Sequence, residues 1–451
     1  MKLNDIAEFV TDKISSSSIS LDIYVTTDSL LQNRRGRETA QNLPPMPCAL
    51  THYRQGDVLI ANIRPYLKKI WYADSEGGCS SDVLAFRAKN GHCPSFLYTV
   101  LMQDAFFDYA MSGVKGSKMP RGDKDQIMRY ELPTLTPMEE ENIGNMMVDI
   151  MSKININRQI NDNLEAMAKQ LYDYWFVQFD FPNEDGKPYK SSGGVMVWNE
   201  KLKRKIPQGW SNGVLSDVAN ITMGQSPDGS SYNEDGEGII FYQGSTDFGL
   251  RFPDIRQYTT SPSRYANKGD ILMSVRAPVG ALNIANNNCC IGRGLSALSS
   301  KIGSMTHLYY LLNDFRLKFE GMNSAGTTFG SITKDELFSL PVIIPTKSVI
   351  SEFEQVCEPI FDKQMIIGEE INALTKQRDE LLPLLMNGQA SVNYHLSAKV
   401  YPLPIAYKKV MPIVTNQTIS NTFIQKFDNH TPSPCLQTSN HSIPKEERND
   451  L

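Results

Sequence analysis

The sequence predicts a mixed α+β protein in which two globular α+β units are joined by two long antiparallel helices. A Leu-Pro-x-x-x-Pro hinge occurs at residues 132–137 and again at 340–345. The pattern I-x-x-x-[L/I]-x-A-[M/L]-x-K-Q occurs at residues 160–170 and again at 367–377. Each hinge follows a stretch of short apolar runs and precedes a long amphipathic segment. This order predicts a pseudo-two-fold internal repeat within one chain.

The two globular units are predicted over residues 1–136 and 207–345. Both stretches alternate short apolar runs with Gly, Pro and Asn, which is typical of strands separated by turns. The predicted strands are residues 57–61, 83–86, 239–242 and 271–275, and the predicted short helices are residues 96–110 and 307–319.

The first long helix is predicted over residues 137–176. Thr136 and Glu139 have the spacing of a capping box, and Pro137 suits the first helical position because it has no N–H to leave unsatisfied. Apolar residues then recur mostly three and four positions apart, as on one face of a helix. They are Ile143, Met147, Ile150, Ile154, Leu164, Met167 and Leu171.

The second long helix is predicted within residues 346–392, where Asn387-Gly388 is expected to end it. Its apolar face is Phe353, Val356, Ile360, Ile367, Ile371, Leu374, Leu381 and Leu385. Asn157 and Asn161 interrupt the apolar face of the first helix, as polar residues that fix register do in coiled coils. We therefore predict an antiparallel coiled coil. The alternative is that each helix packs only on its own domain.

The remaining segments and the composition limit the class of protein. Residues 177–206 are predicted to be a turn-rich linker, and residues 393–451 a disordered tail rich in Asn, Ser, Thr and Pro. The formal net charge is -5, which argues against a uniformly basic surface. No apolar run has the length of a signal peptide or a membrane span, so we expect a cytoplasmic protein that is not in a membrane. Seven scattered cysteines without a CxxC pair fit a reducing compartment. They are Cys48, Cys79, Cys93, Cys289, Cys290, Cys357 and Cys435.

No catalytic or cofactor-binding motif is recognisable. Residues 42–46 (NLPPM) only superficially resemble the Asn-Pro-Pro-aromatic motif of adenine methyltransferases, because no strand and Gly-rich loop precede them. Residues 321–330 are rich in Gly but lack the Lys of a phosphate-binding loop. His52, His92 and His307 have no partners at metal or nucleophile spacing. We therefore predict a protein that is not an enzyme and has no cofactor.

Polar and basic loops at matching places in the two halves are candidates for contacts with DNA. Arginine and lysine contact phosphates, and Arg, Asn, Gln, Ser and Thr contact base edges. A single basic loop is more often a solvated face, but here the loops recur in both halves. The candidates in the first half are Arg64, Lys68, Lys69, Lys115, Lys118 and Arg121. Those in the second half are Arg276, which matches Arg64 in position, together with Arg293, Thr327 and Thr328.

An ordered set of motifs resembles the specificity subunits of type I restriction–modification systems. Residues 164–177 followed by 206–210 (IPQGW) are similar to their central conserved region, and residues 378–388 to their distal helix end. Residues 223–227 (MGQSP) resemble the Gly-x-[Ser/Thr]-Pro loop that opens their target recognition domains. The resemblance covers about residues 1–395. The first half has neither the Pro-x-Gly-Trp lead-in nor an obvious Gly-x-Ser-Pro loop.

The resemblance implies a non-catalytic subunit whose two target recognition domains each read one half of a bipartite sequence in double-stranded DNA. It adds Gln225 and Ser226 to the DNA-contact candidates. It also implies that the helix pair spaces the half-sites and docks two methyltransferase subunits, which a restriction–translocation subunit joins. The expected docking residues are Leu171, Tyr174, Trp175 and Phe176. Two other classes stay open: a free-standing DNA modification enzyme, and a coiled-coil scaffold that binds only proteins.

Overall fold

The computed structural model describes residues 1–114, 119–324 and 330–392. Mixed helices and sheets fill both halves of this part of the chain, so the predicted α+β class is confirmed. The strands of the first half are β1 Ala7–Phe9, β2 Lys13–Ser15, β3 Tyr24–Val25, β4 Ala49–Tyr53, β5 Val58–Ala61, β6 Ile70–Tyr72, β7 Gly77–Cys79 and β8 Val83–Ala88. Its helices are α1 Leu3–Ile6, α2 Pro94–Leu101, α3 Asp104–Ser112, α4 Lys124–Ile127 and the long α5 Pro137–Tyr172.

The rest of the described chain is also built from short strands and helices and one long helix. Its strands are β9 Met196–Asn199, β10 Arg204–Pro207, β11 Ser211–Val214, β12 Ala219–Met223, β13 Tyr232–Asn233, β14 Ile239–Tyr242, β15 Gln257–Thr259, β16 Tyr265–Ala266, β17 Ile271–Ser274, β18 Leu282–Ile284, β19 Cys289–Ile291, β20 Leu295–Ser300 and β21 Pro341–Ile344. Its helices are α6 Leu215–Val218, α7 Met305–Ser324, α8 Lys334–Phe338 and the long α9 Lys347–Met386. Short 3-10 turns lie at Ser16–Ser18, Leu21–Ile23, Pro65–Leu67, Gly229–Ser231 and Ser245–Asp247, and a π-helical turn at Asp173–Val177.

The two halves have one sheet order in common. An antiparallel sheet of order β1-β8-β5-β6 in the first half corresponds to β12-β20-β17-β18 in the second. A second sheet has the order β2-β4-β7-β3 in the first half and β13-β15-β14-β19-β16 in the second. Each of these second sheets contains one parallel pair, β3 with β7 and β14 with β19. The second sheets differ in strand number, with four strands in the first half and five in the second.

Two sequence expectations are corrected. The predicted helix over residues 96–110 is two helices, because Gln103 is extended and starts α3 after α2 has ended. The linker over residues 177–206 is not made only of turns: β9 and β10 form an antiparallel hairpin in it. One face of that hairpin leaves Trp198 54% exposed.

Helix α5 begins and helix α9 ends where the sequence predicts, whereas α5 ends at Tyr172 and a π-helical turn continues it to Val177. The Thr136 hydroxyl accepts from the Glu139 N–H at 3.4 Å, and the Glu139 carboxylate accepts from the Thr136 N–H at 2.8 Å. This is the predicted capping box, with Pro137 at the first helical position. Helix α9 ends at Met386, directly before the Asn387-Gly388 pair.

Helices α5 and α9 lie side by side and run in opposite directions. As the residue number in α5 rises, the number of its hydrogen-bond partner in α9 falls. Asn157 Nδ2 donates to Glu370 Oε2 at 2.9 Å, and Gln364 Nε2 donates to Glu165 Oε2 at 2.8 Å. Asn157 is 2% exposed and faces the other helix, although a buried amide costs free energy unless it is hydrogen-bonded.

The first half packs on the N-terminal part of α5. His92 Nδ1 lies 3.0 Å from Glu140 Oε1 across that contact. Helix α2 approaches so closely that a Cβ at Gly144 would lie 2.5 Å from the Phe96 nitrogen. The first half is thus fixed to the helix pair upstream of Asn157.

The second half packs farther along the pair. Arg251, itself buried, donates to Glu165 of α5 at 3.3 Å and to Gln364 of α9 at 3.0 Å. The next residue, Phe252, lies against Gly368, where a Cβ would be 2.8 Å from the ring. The part of the helix pair that contacts the first half therefore ends, and the part that contacts the second half begins, near Asn157 on α5 and Gly368 on α9.

An aromatic junction closes the C-terminal end of α5 against the second half. Its buried members are Tyr172, Trp175, Phe176, Phe179, Phe181, Trp210, His307 and Phe353. The Phe176 ring is 4.8 Å from the Phe353 ring and 4.5 Å from the His307 ring, both in edge-to-face arrangements. Aromatic pairs at such distances and angles add to the stabilisation from burial.

His307 makes the stability of the aromatic junction dependent on pH. Burial lowers the pKa of His307 from 6.5 to about 3. Below pH 6.5 the His307 imidazole is protonated in the unfolded chain but stays neutral in the folded chain. The free energy of unfolding therefore falls as the pH drops from about 6.5 towards 3. Between pH 7 and pH 5 this loss should be roughly 2 kcal/mol.

The measurement is denaturant unfolding at pH 7 and pH 5 of the wild type and of His307→Leu. The variant removes this titration, so its free energy of unfolding should change by about 2 kcal/mol less between the two pH values. An equal pH dependence of both proteins would contradict the assignment.

Candidate nucleic-acid interface

In the first half, the loop after β5 meets the loop before α4. The Arg64 N–H donates to the Pro120 carbonyl at 2.8 Å, which places Arg64 and Arg121 beside one another. Both side chains are exposed, but an Arg121 guanidinium nitrogen lies 3.0 Å from Asp82 Oδ1. Arg64 is therefore the more available of the two predicted arginines.

The second half has the same loop contact, shifted by one residue from the sequence expectation. Here the Ala277 N–H donates to the Gly330 carbonyl at 3.1 Å, in the way that the Arg64 N–H does in the first half. Arg276 thus lies one position before the equivalent of Arg64, and the predicted match between them is wrong by one residue. Arg276 is nevertheless exposed.

The two predicted lysines next to Arg64 are engaged within the protein. Lys68 Nζ lies 2.6 Å from Asp104 Oδ1, and Lys69 Nζ donates to the Thr27 carbonyl. Burial raises the pKa of Asp104, but hydrogen bonds from Lys68 and Arg34 outweigh it, and the net pKa is lowered. These contacts make Lys68 and Lys69 poorer candidates for phosphate contacts.

Four predicted residues lie outside the described part of the chain. They are Lys115, Lys118, Thr327 and Thr328.

The Gly-x-Ser-Pro loop of the second half brings three predicted residues together. The Gln225 N–H donates to the carbonyl of Ile291, and the Arg293 N–H lies 3.3 Å from Ser226 Oγ. Gly224 permits this approach, because a Cβ there would lie 2.2 Å from the Gly292 carbonyl oxygen. Gln225 and Arg293 are exposed.

Two further exposed residues, which the sequence analysis missed, belong to the same surface. The Ile291 N–H donates to the Arg264 carbonyl at 2.9 Å, and the Gly294 N–H donates to the Gln243 carbonyl at 3.3 Å. The position of Gln243 directly after a predicted strand is the sequence signal that could have identified it as a site residue. Arg264 carried none, because the strand that follows it, β16, has only two residues. We name Gln225, Ser226, Gln243, Arg264 and Arg293 the Arg293 cluster.

The Arg293 cluster has the chemistry of base reading. Arginine donates two hydrogen bonds to guanine, and glutamine can both donate to and accept from adenine in the major groove. Its two guanidinium groups also suit phosphates.

Two of the expected partner-docking residues are not at the surface. Trp175 and Phe176 are each 6% exposed and lie inside the aromatic junction. Leu171 and Tyr174 are partly buried at its edge. The sequence analysis could not separate an exposed aromatic end of α5 from a buried one, because the residues it meets come from far along the chain.

Two other kinds of feature are absent from the described ranges. Among residues 1–114, 119–324 and 330–392, no group of three or more His, Cys, Asp or Glu side chains could hold a metal ion. No helix in those same residues is long and apolar enough to cross a membrane.

Two globular halves with one sheet order in common, each with exposed polar loops, pack on the same pair of antiparallel helices. Residues 207–380 match the family model of the type I restriction modification DNA specificity domain. A relative named as the MjaX specificity subunit of a type I restriction enzyme, from Methanocaldococcus jannaschii, is 32% identical over 60% of this chain and 61% of its own length. The MjaIX specificity subunit of the same organism is 24% identical over 87% of this chain and 93% of its own length.

The chain is similar to the specificity subunits of type I restriction enzymes. The chain spans 61% of the length of the MjaX relative. A crystal structure of a type I S subunit from M. genitalium shares the fold, with a TM-score of 0.56 at 13% identity over 86% of this chain and 95% of that one.

Proposed function

We propose that this chain is the DNA-recognition subunit of a type I restriction–modification complex. Each globular half reads one half of a bipartite target in double-stranded DNA, as one copy of a pseudo-two-fold internal repeat. Helices α5 and α9 form an antiparallel coiled coil that sets the distance between the half-sites. The chain itself carries out no catalysis.

The observation that carries the proposal is the shared strand order of the two halves on one antiparallel helix pair. Equivalent strand ends then present loops to the same kind of partner twice. The Arg293 cluster supports DNA as that partner, because guanidinium and amide groups on exposed loops suit phosphates and base edges.

The partners follow from the family. We propose that two methyltransferase subunits dock on the helix pair and that a restriction–translocation subunit joins them in the cytoplasm. The methyl donor and the nucleotide then bind to those subunits, so the chain needs no cofactor. Because Trp175 and Phe176 are buried, Leu171 and Tyr174 are the predicted docking residues that remain.

The test is to express the chain with its methyltransferase subunits and map methylated bases across the genome. The expected result is one bipartite motif with a fixed spacer, absent when the chain is omitted. Methylation without this chain would contradict the proposal.

Two simpler assays separate the rival classes. A free-standing modification enzyme would bind the methyl donor as an isolated chain, which equilibrium binding of labelled donor would detect. A scaffold that binds only proteins would not shift duplex DNA with or without the methyltransferase subunits. Our proposal expects no donor binding and a DNA shift in the assembled complex.

Recognition by the second half should depend on the Arg293 cluster. Arg293→Ala should weaken discrimination at one half-site by about 1–3 kcal/mol per lost bidentate base contact and leave the other half-site unaffected. Arg276→Ala should also act on that half-site alone. Binding to duplexes altered in either half-site is the measurement. Arg256→Ala is the matched control, because Arg256 is 57% exposed and outside the cluster. Equal loss at both half-sites would contradict the assignment.

A further inference from the structure

The first half has no Gly-x-Ser-Pro loop, but its fold identifies the residues that stand in the same place. Strand β1 pairs with β8 in the register in which β12 pairs with β20. Lys13 follows Ala7 at the same interval as Gln225 follows Ala219. Lys13 is therefore the counterpart of Gln225 by distance along the chain, although Lys13 pairs with Thr51 of β4 and Gln225 bonds to Ile291 of β19.

The second sheets give two more equivalences. The last residues of β7 and β19 face Thr51 and Arg264 respectively. The second residue after each of these strands is Ser81 in the first half and Arg293 in the second. Three members of the Arg293 cluster thus have polar counterparts in the first half.

These counterparts line one surface cleft of about 140 Å³. Lys13, Thr51 and Ser81 form part of its wall, Lys124 of α4 forms another part, and its apolar floor comes largely from β8. We name Lys13, Thr51, Ser81 and Lys124 the Lys13 cleft. Residues far apart in the sequence meet there because the edges of two sheets meet.

The two lysines give the Lys13 cleft a positive charge. Lys13 Nζ donates to Thr51 Oγ1 at 3.2 Å, and Lys124 Nζ lies 5.8 Å from the centre of the Phe9 ring. Among residues 1–114, 119–324 and 330–392, neither ammonium group forms a salt bridge. Both side chains belong to exposed residues.

One acidic group next to the cleft is already paired with arginines. The Asp12 carboxylate lies 3.1 Å from Arg87 and 3.3 Å from Arg54, and a hydrogen bond from Arg87 is the main cause of its lowered pKa. Asp12 therefore opposes the attraction of an anion by the two lysines less than an unpaired carboxylate would. By contrast, Lys68 and Arg121 are paired with acidic side chains of their own half.

We infer that the Lys13 cleft is where the first half contacts its DNA half-site. Lys13 and Lys124 bind phosphates, while the hydroxyls of Thr51 and Ser81 contact a base edge or a neighbouring phosphate. This inference rests on the proposed function and assigns first-half residues that no sequence motif marks. Lysine acts as a point charge on phosphate, and Ser and Thr hydroxyls can donate to or accept from any base.

The experiment uses the full chain assembled with its methyltransferase subunits and a duplex that carries the mapped target. Binding is measured across a series of salt concentrations for the wild type and for the double variant Lys13→Gln, Lys124→Gln. Each lost phosphate contact should lower the log–log salt slope by about one and weaken binding on the order of tenfold at about 50 mM salt. The slope should therefore fall by about two in the double variant.

Lys2→Gln is the control, because Lys2 is an exposed lysine of the same half outside the cleft. It should keep the wild-type slope. Thr51→Val, which removes only a hydroxyl, should relax discrimination at the half-site that Arg293→Ala leaves intact. Equal melting temperatures of all variants show that the fold is retained.

The outcomes separate this inference from the proposed function. A double variant that binds like Lys2→Gln, while Arg293→Ala still weakens its own half-site, overturns the Lys13 cleft and leaves the proposed function standing. A wild-type complex that does not prefer the mapped target over random duplex overturns both.

Discussion

Replacing Trp175 by alanine is expected to lower the free energy of unfolding by about 3–5 kcal/mol. Trp175 is 6% exposed and its ring centre lies 5.6 Å from that of Phe353. Truncation leaves a cavity where α5 meets the second half, and the surrounding rings can fill it only partly. Since domains are typically stable by about 5–15 kcal/mol, this single change should remove a large part of the stability. Denaturant or thermal unfolding measures it.

Trp198→Ala is the matched control for Trp175→Ala. It removes the same side chain from the β9–β10 hairpin, where Trp198 is 54% exposed, and should cost less than about 1 kcal/mol. Capture of methyltransferase subunits by the variant distinguishes a packing role of Trp175 from a docking role. Capture by the folded fraction of Trp175→Ala should match the wild type. A fully stable variant that loses capture would instead restore Trp175 as a docking residue.

Element boundaries were predictable where the signal was local. The capping box at Thr136 and the Asn387-Gly388 stop concern groups within a few residues of each other, so their geometry follows from the sequence. The division between α2 and α3 was missed because no Gly or Pro marks it at Met102 and Gln103. The β9–β10 hairpin was missed because turn residues dominate the composition of the linker.

The site was predictable only where a motif marks it. Gln225, Ser226 and Arg293 were identified from a short loop and a glycine pair, and the fold brings them together. Thr51 and Ser81 carry no such mark. Their assignment needs strand pairing between segments that are far apart in the chain, and this register is a tertiary property.

The polar interruption of the α5 face was predicted, but its partner was not. Asn157 was expected to meet the other helix, yet the sequence gives no means of selecting Glu370 rather than a neighbour as its acceptor. Which residue accepts from Asn157 depends on the register of α9 along α5. The packing of both globular halves fixes that register. Arg251, bridging Glu165 and Gln364, is one of the residues that fix it.

Lengthening both helices together should lengthen the spacer of the DNA target. The insertion points follow from the packing: after Gln159 in α5 and after Glu369 in α9. The Asn157–Glu370 pair then stays with the first half, and the Phe252–Gly368 contact stays with the second. One heptad in each helix preserves the apolar seam and adds roughly 10 Å. That is about three base pairs of rise at about 3.4 Å each.

The helical turn of DNA decides how well each insertion works. Three base pairs also rotate the second half-site by about 100° around the duplex, since one turn takes about 10–10.5 base pairs. The one-heptad protein should therefore bind weakly. Three heptads add roughly 31 Å, close to one turn of about 34–36 Å, and restore the facing side of the duplex. This protein should methylate the same two half-sites with a spacer longer by about nine base pairs.

Genome-wide mapping of methylated bases measures the outcome. The control is an insertion in α5 alone, which shifts the Gln364–Glu165 contact out of register with the rest of the pair and should abolish assembly. If the three-heptad protein is active but keeps the original spacer, the helices do not set the distance, and their antiparallel pairing serves only to hold the two halves together. If the three-heptad protein recognises the longer motif, the length of α5 and α9 sets the distance between the half-sites. The loops then determine which bases are recognised. Spacing and sequence would then be separable properties of one chain, because the spacing depends on the helix pair and the choice of bases on the exposed loops.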